Sequence, residues 1–114
     1  MKIESEAQLV RIFVGEGDKK GNRPLYEVIV EEARKRGLAG ATVLRGTLGF
    51  GANSRIHTSK ILRLSEDLPM VIELVDEKEK IQAFLPDLDE MIQEGLITIE
   101  KVKIIAYRHS KNLD

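Results

Sequence analysis

LPMVIELV, residues 68–75, decides how the rest of the chain folds. Its length and β-branched content mark a strand, and Pro69 sits near the opening, where a missing N–H is tolerated. Alternate strand residues point to opposite faces. Met70, Ile72 and Leu74 therefore share one face, while Val71 and Val75 share the other. AQLVRIFV, residues 7–14, behaves the same way, with Val10, Ile12 and Val14 on one face and Leu9 and Phe13 on the other. An antiparallel sheet with one face in water alternates apolar with polar. These two strands carry apolar residues on both faces, and both need cover.

The segments around them supply part of that cover. Leu25, Val28, Ile29 and Ala33 recur at helical spacing. Asn22 is the expected N-cap with Pro24 in the first turn, and Arg34, Lys35 and Arg36 suit the C-terminal end of the dipole. Gly37 is the natural C′ residue. Residues 41–48 form a second strand, with a short extension expected at 61–64. Beyond residue 76, Ile81, Phe84, Leu85, Leu88, Met91 and Ile92 predict a helix over 77–94, kinked or broken at Pro86 and capped by Gly95. Residues 96–107 form the last strand, followed by a frayed tail over 108–114. GEGDKKG, residues 15–21, is read as a polar connection with ordinary turn chemistry.

The order βαββαβ predicts an α+β, ferredoxin-like chain with a four-stranded antiparallel sheet and two helices on one face. The first and third strands are then central. Two helices on one side leave the opposite apolar face to be met by something else. A second copy of the chain is the simplest candidate, so a homo-oligomer is expected.

Composition narrows the function classes. A chain of 114 residues with 42% apolar content is expected to form one domain over residues 1–114. There is no Cys for a disulfide or thiol chemistry. No apolar run approaches the roughly 20 residues that span a bilayer, and MKIESEAQ is polar and acidic, unlike a signal peptide. A cytoplasmic protein without membrane insertion is expected. A net charge of −1 exerts no strong pull on nucleic acid. The charge is unevenly spread: residues 18–63 carry ten Lys or Arg against four Asp or Glu, and residues 64–100 carry two against eleven.

The centre of the basic half is GATVLRGTLGFGANSRIHTSK, residues 40–60. Gly46, Gly49 and Gly51 either permit positive φ at a strand end or bring backbone N–H groups close to an anion. Arg45, Arg55, Lys60 and Arg63 repel one another unless an anion or an acidic partner surface answers them. Ser54 and His57 stand three residues apart with no carboxylate nearby in sequence, so catalysis is not expected. Asn53, Ser54, His57, Thr58 and Ser59 suit contact with a partner instead.

GLAGATVLRGTLGFG (37–51) followed by LPMVIELVD (68–76) resembles the PII signalling proteins. The matching positions are Gly37, Gly40, Thr42 and Val43, then Gly49, Phe50 and Gly51, then Leu68 and Pro69. RPLYE (23–27), GFGANSRIH (49–57) and EGLITIE (94–100) extend the likeness over about residues 8–107 to a PII-like family, the domain-of-unknown-function 190 family. The resemblance implies a homotrimer whose open sheet faces line the three-fold axis. It also implies a small anionic ligand, an adenine nucleotide or another anionic metabolite, in clefts between subunits. Gly49, Phe50 and Gly51 would then line that cleft, and Arg45, Gly46, Arg55 and Lys60, singled out by the charge and glycine pattern, are expected to hold the ligand with them. A mobile loop over 52–64 would contact a membrane transporter or a metabolic enzyme. This sequence departs from PII in three ways. Gly95 leads directly into the last strand with no phosphate loop, the spacing from Thr42 to the GFG is one residue longer, and the loop has no tyrosine.

RNA recognition modules share this fold and are the alternative. They need aromatics on the open sheet, where only Phe13 and Tyr107 are placed, and the acidic second half opposes phosphate. An acylphosphatase-type enzyme would need an Arg in the loop after the first strand, where GEGDKKGN has none.

Overall fold

The structure is a computed structural model that describes residues 5–49 and 68–108. Strand β1 (Ser5–Gly15) is followed by a small hairpin of β2 (Lys19–Lys20) and β3 (Arg23–Pro24), then helix α1 (Leu25–Lys35) and β4 (Gly40–Arg45). After the intervening segment come β5 (Pro69–Glu77), α2 (Lys78–Met91) and β6 (Leu96–Ile104). The main sheet has the order β4-β5-β1-β6, antiparallel throughout. The strands predicted to be central are central, and both helices pack on one face.

The helix-covered face forms as the alternation requires. Val10, Ile12 and Val14 of β1 and Met70, Ile72 and Leu74 of β5 are buried beneath Leu25, Ile29 and Ala33 of α1 and Ile81, Phe84 and Leu88 of α2. Ile12 lies directly between Ile72 and Ile97 in the ladder. Each fully buried Ile, Leu or Phe contributes about 1.5–3 kcal/mol relative to exposure. Arg36 ties the two helices together: it pairs with Asp87, and its guanidinium lies 5.7 Å from the centroid of Phe84. Helix α1 ends in a Schellman motif. Leu38 N–H donates to Ala33 O at 3.1 Å and Gly37 N–H to Arg34 O at 3.0 Å, with Gly37 at φ +76°.

Several boundaries differ from the expectation. Asn22 is not the N-cap. Lys19 and Lys20 pair with Pro24 and Arg23, which keeps the chain extended up to Leu25 and leaves Asn22 at the hairpin tip. Pro24 takes the cap position without a side-chain hydrogen bond, and Leu25 N–H donates to Asp18 O at 2.8 Å. Helix α2 runs unbroken through Pro86. Gln82, whose carbonyl Pro86 cannot bond, is exposed, so water can serve that carbonyl. The chain leaves the helix at Ile92, and Gly95 does not cap it. Gly95 instead lets the chain pass close to β1, since a Cβ there would stand 2.7 Å from Phe13 O. Strand β4 stops at Arg45, β5 extends to Glu77, and β6 stops at Ile104. Beyond β6, the Tyr107 hydroxyl donates to Ala39 O at 3.1 Å.

The open face is not uniformly apolar. The register lines its side chains up in rows across the four strands. Leu44, Val71, Phe13 and Leu96 form an apolar row, and its flanks Leu44 and Leu96 are 49% and 54% exposed. The next row is polar: Thr42, Glu73, Arg11 and Thr98. Arg11 Nε donates to Glu73 at 2.9 Å and Arg11 Nη1 to Glu100 at 2.5 Å. These hydrogen bonds, that to Glu73 first, raise the Arg11 pKa further above its ordinary value. Gly40, Val75, Leu9 and Glu100 complete a third, mixed row.

Candidate ligand-binding end of the sheet

At one end of the sheet β1 and β4 finish while β5 and β6 begin, and the conspicuous glycines fall there. Two backbone hydrogen bonds grip the start of β5 from opposite sides. Glu16 N–H donates to Leu68 O at 2.8 Å, and Gly46 N–H donates to Pro69 O at 2.7 Å. A Cβ at Gly46 would stand 2.7 Å from Pro69 Cγ and 3.3 Å from Pro69 O, and one at Gly49 would stand 3.1 Å from Pro69 Cγ. Neither glycine has positive φ; among the described residues Gly21, Gly37 and Gly95 do. The expectation of positive φ at Gly46 and Gly49 is therefore corrected. They are small so that the end of β4 can lie against the Pro69 ring.

Arg45 closes the same corner through Nη1, which lies 2.9 Å from Glu16 Oε2. An anion or an acidic partner surface was the expected counter-charge for this cation. The carboxylate that meets it comes from the turn after β1 of the same chain. Asp18 shapes that turn by accepting the Gly15 N–H at 2.9 Å on its side chain and the Leu25 N–H on its carbonyl.

Beside this corner, a cavity of about 350 Å³ opens between the β2–β3 hairpin and the end of α2. Asp18, Lys19 and Lys20 line one side, and Met91, Gln93 and Glu94 the other. Its volume is at the lower end of the range for small-molecule sites. The segment read as a plain connection thus forms a wall, with two lysines that make no ion pair among the described residues.

Of the residues predicted to form a site, the structure brings together Arg45, Gly46 and Gly49. Phe50, Gly51, Asn53, Ser54, Arg55, His57, Thr58, Ser59 and Lys60 lie outside the described residues, as do the expected mobile loop at 52–64 and the strand extension at 61–64. Glu16 and Pro69 are central to the corner, yet the sequence did not single them out for it. The sequence signal for Pro69 was its place at the head of an apolar strand opposite a glycine-rich one. Glu16 had no such signal. Among the described residues, no group of three or more His, Asp or Glu could hold a metal ion, and no helix is long and apolar enough to cross a membrane. Among the described residues Phe13 is the aromatic on the open sheet face; Tyr107 lies beyond β6.

The DUF190 family, described as Uncharacterized ACR, matches residues 7–104. The chain belongs to this family. A UPF0166 protein of Aquifex aeolicus is 41% identical over 98 residues, covering 86% of this chain and 92% of the relative. A UPF0166 protein of Methanocaldococcus jannaschii is 39% identical over 95 residues, covering 82% and 87%. Among solved structures, the DUF190 chain is similar to CPII of Thiomonas intermedia K12 bound to ADP and bicarbonate. The TM-score is 0.57 at 15% identity, with 90% of this chain and 91% of that chain covered. A second CPII structure, described as a nitrogen regulatory PII-like protein bound to ADP, AMP and bicarbonate, gives a TM-score of 0.58 at 13% identity over 90% and 91% of the two chains. At such identity the likeness establishes a shared PII-like fold.

Proposed function

We propose that this DUF190 protein is a PII-like regulator that works in the cytoplasm by binding, not by catalysis. Three copies pack through their open sheet faces. A small anionic ligand, with an adenine nucleotide as first candidate, sits between neighbouring copies at the glycine end. Gly46, Gly49, Phe50 and Gly51 form the rim, with Arg45, Arg55 and Lys60 meeting the negative charge. Residues 52–64 report occupancy to a transporter or a metabolic enzyme, with Asn53, Ser54, His57, Thr58 and Ser59 as the contact set.

The observation that carries this reading is the position of the apolar row. Leu44, Val71, Phe13 and Leu96 cross the open face immediately next to the corner formed by Arg45, Gly46 and Pro69. A copy seated on that row arrives beside the glycines, so a cleft there is shared between copies. The PII-like CPII structures, described as bound to ADP, AMP and bicarbonate, support the ligand class.

Sedimentation equilibrium at micromolar concentration, followed by calorimetry with ADP, AMP, ATP and bicarbonate, tests the proposal. A trimer that takes up one nucleotide per chain, with altered protease cleavage in 52–64, is the expected result. A monomer indifferent to all four compounds would end it.

A further inference from the structure

A second cavity, of about 300 Å³, lies at the opposite end of the sheet, where β1 begins, β6 ends and α2 starts. From Gly15 back to Gln8 is about 23 Å along β1 at the rise of a strand. Lys78, Lys101 and Lys103 line this cavity together with Gln8 and Glu6. In the ladder Lys101 stands opposite Gln8, and Lys103 opposite Glu6.

Three observations bear on this cluster together. None of the three lysines makes an ion pair among the described residues, as is true of Lys19 and Lys20 at the other end, whereas Arg11, Arg23, Lys35, Arg36 and Arg45 all do. Gln8 is nine-tenths buried: its Oε1 accepts from Gln82 Nε2 at 2.9 Å, and its own Nε2 has no partner among the described residues. Finally, α2 brings Lys78 and Lys80 to its start, beside Glu77 and Glu79, and places no cation at its end. Helix α1 has Glu27 in the first turn and Arg34 and Lys35 in the last. Helix α2 begins Lys78-Glu79-Lys80, has no basic residue in its last turn, and has no side-chain cap at Glu77. A cation at a helix N-terminus is disfavoured by the aligned peptide dipoles. Lysines on an edge strand can serve to block sheet-to-sheet pairing, which explains Lys101 and Lys103 taken alone. It does not explain Lys78, which comes from another element and points the same charge at the same space.

We propose that this cavity binds a small multivalent oxyanion of the phosphate type, free or carried on a small metabolite. Lys78, Lys101 and Lys103 supply the charge, the Gln8 amide donates from the floor, and the start of α2 adds the favourable end of its dipole. Glu6 at the rim favours protonated hydroxyls on the ligand over further negative charge. The site is separate from the glycine end and does not depend on the nucleotide proposal.

The test uses the full chain at constant ionic strength, with inorganic phosphate and ribose 5-phosphate titrated separately against a chloride control. Phosphate is expected to raise the melting temperature, and each of Lys78→Gln, Lys101→Gln and Lys103→Gln is expected to weaken binding about tenfold by calorimetry. Gln8→Leu keeps the net charge and is expected to weaken binding as well, which general attraction to lysines would not produce. In chloride alone, the triple lysine variant is expected to melt no lower than the unaltered chain, because repulsion is relieved. Tighter binding of ribose 5-phosphate than of phosphate assigns the site to phosphorylated metabolites, and equal binding assigns it to the free ion. A phosphate response that survives in the triple variant, an unaltered chain without a response, or a triple variant that melts lower in chloride would each overturn the proposal. None of these variants touches the glycine end, so the adenine nucleotide titration is read independently.

Discussion

The two faces of the sheet are made by the same strands, residue by alternating residue, yet they are used in opposite ways. On the helix-covered face Val10, Ile12, Ile72 and Leu74 are sealed beneath side chains of α1 and α2. On the open face Leu9, Phe13, Val71 and Val75 are only half-buried, and an Arg11–Glu73–Glu100 cluster interrupts them. A core closed within one chain can be apolar throughout. A surface that meets a copy of itself gains from a polar row, which sets register and penalises misalignment. The contrast separates what folds the chain from what the chain presents.

The largest effect is expected on the closed face. Ile72→Ala should lower unfolding free energy by about 2–5 kcal/mol, since Ile72 is fully buried; urea denaturation measures it. Next comes the corner where the strands reach the glycines. Gly46→Val forces a side chain against Pro69 and should cost about 1–3 kcal/mol in the same measurement, with a loss of nucleotide response if the corner forms the ligand rim. Phe13→Asp on the open face sharpens the comparison most. It should leave chain stability within about 1 kcal/mol while shifting the sedimenting mass towards one chain; an unchanged mass would show that this face is not the interface.

The smallest effect belongs to a pair remote from both faces. Arg23 Nη1 and Nη2 lie 2.6 and 2.7 Å from the two Glu31 carboxylate oxygens. Those hydrogen bonds first, and the nearby positive charge second, hold the Glu31 pKa below its ordinary 4.5. A lowered carboxylate pKa adds stability that is complete above the unfolded value and is lost as pH falls through the folded one. The melting-temperature difference between the unaltered chain and Glu31→Gln should therefore be small at neutral pH, begin to shrink as pH falls below the ordinary 4.5, and vanish only once the lowered folded value is passed.

The architecture was readable because it rests on periodicity. Alternation in residues 68–75 and 7–14 and helical spacing in 81–92 each repeat often enough to stand out. What escaped carries no period. A two-residue strand such as Lys19–Lys20 has nothing to alternate, and its pairing with Arg23–Pro24 displaced the expected cap at Asn22. Pro86 suggested a break, but a proline on the exposed side of a helix leaves the buried stripe of Ile81, Phe84 and Leu88 intact. At the site, the importance of Gly46 and Gly49 was visible while its cause was not. Close approach to Pro69 is a property of two segments twenty or more residues apart, and so is the meeting of Arg45 with Glu16.

The grip on Leu68 and Pro69 has a consequence for how this protein can change. With Glu16 N–H on one side and Gly46 N–H on the other, both stems of residues 50–67 are anchored by the sheet itself. The fold then behaves as a socket whose rims are held by the sheet. Doubling the length of such an insert costs only about 0.6 kcal/mol in closure entropy. An insert of another length can therefore be grafted between these rims at little cost, while the scaffold keeps its sequence.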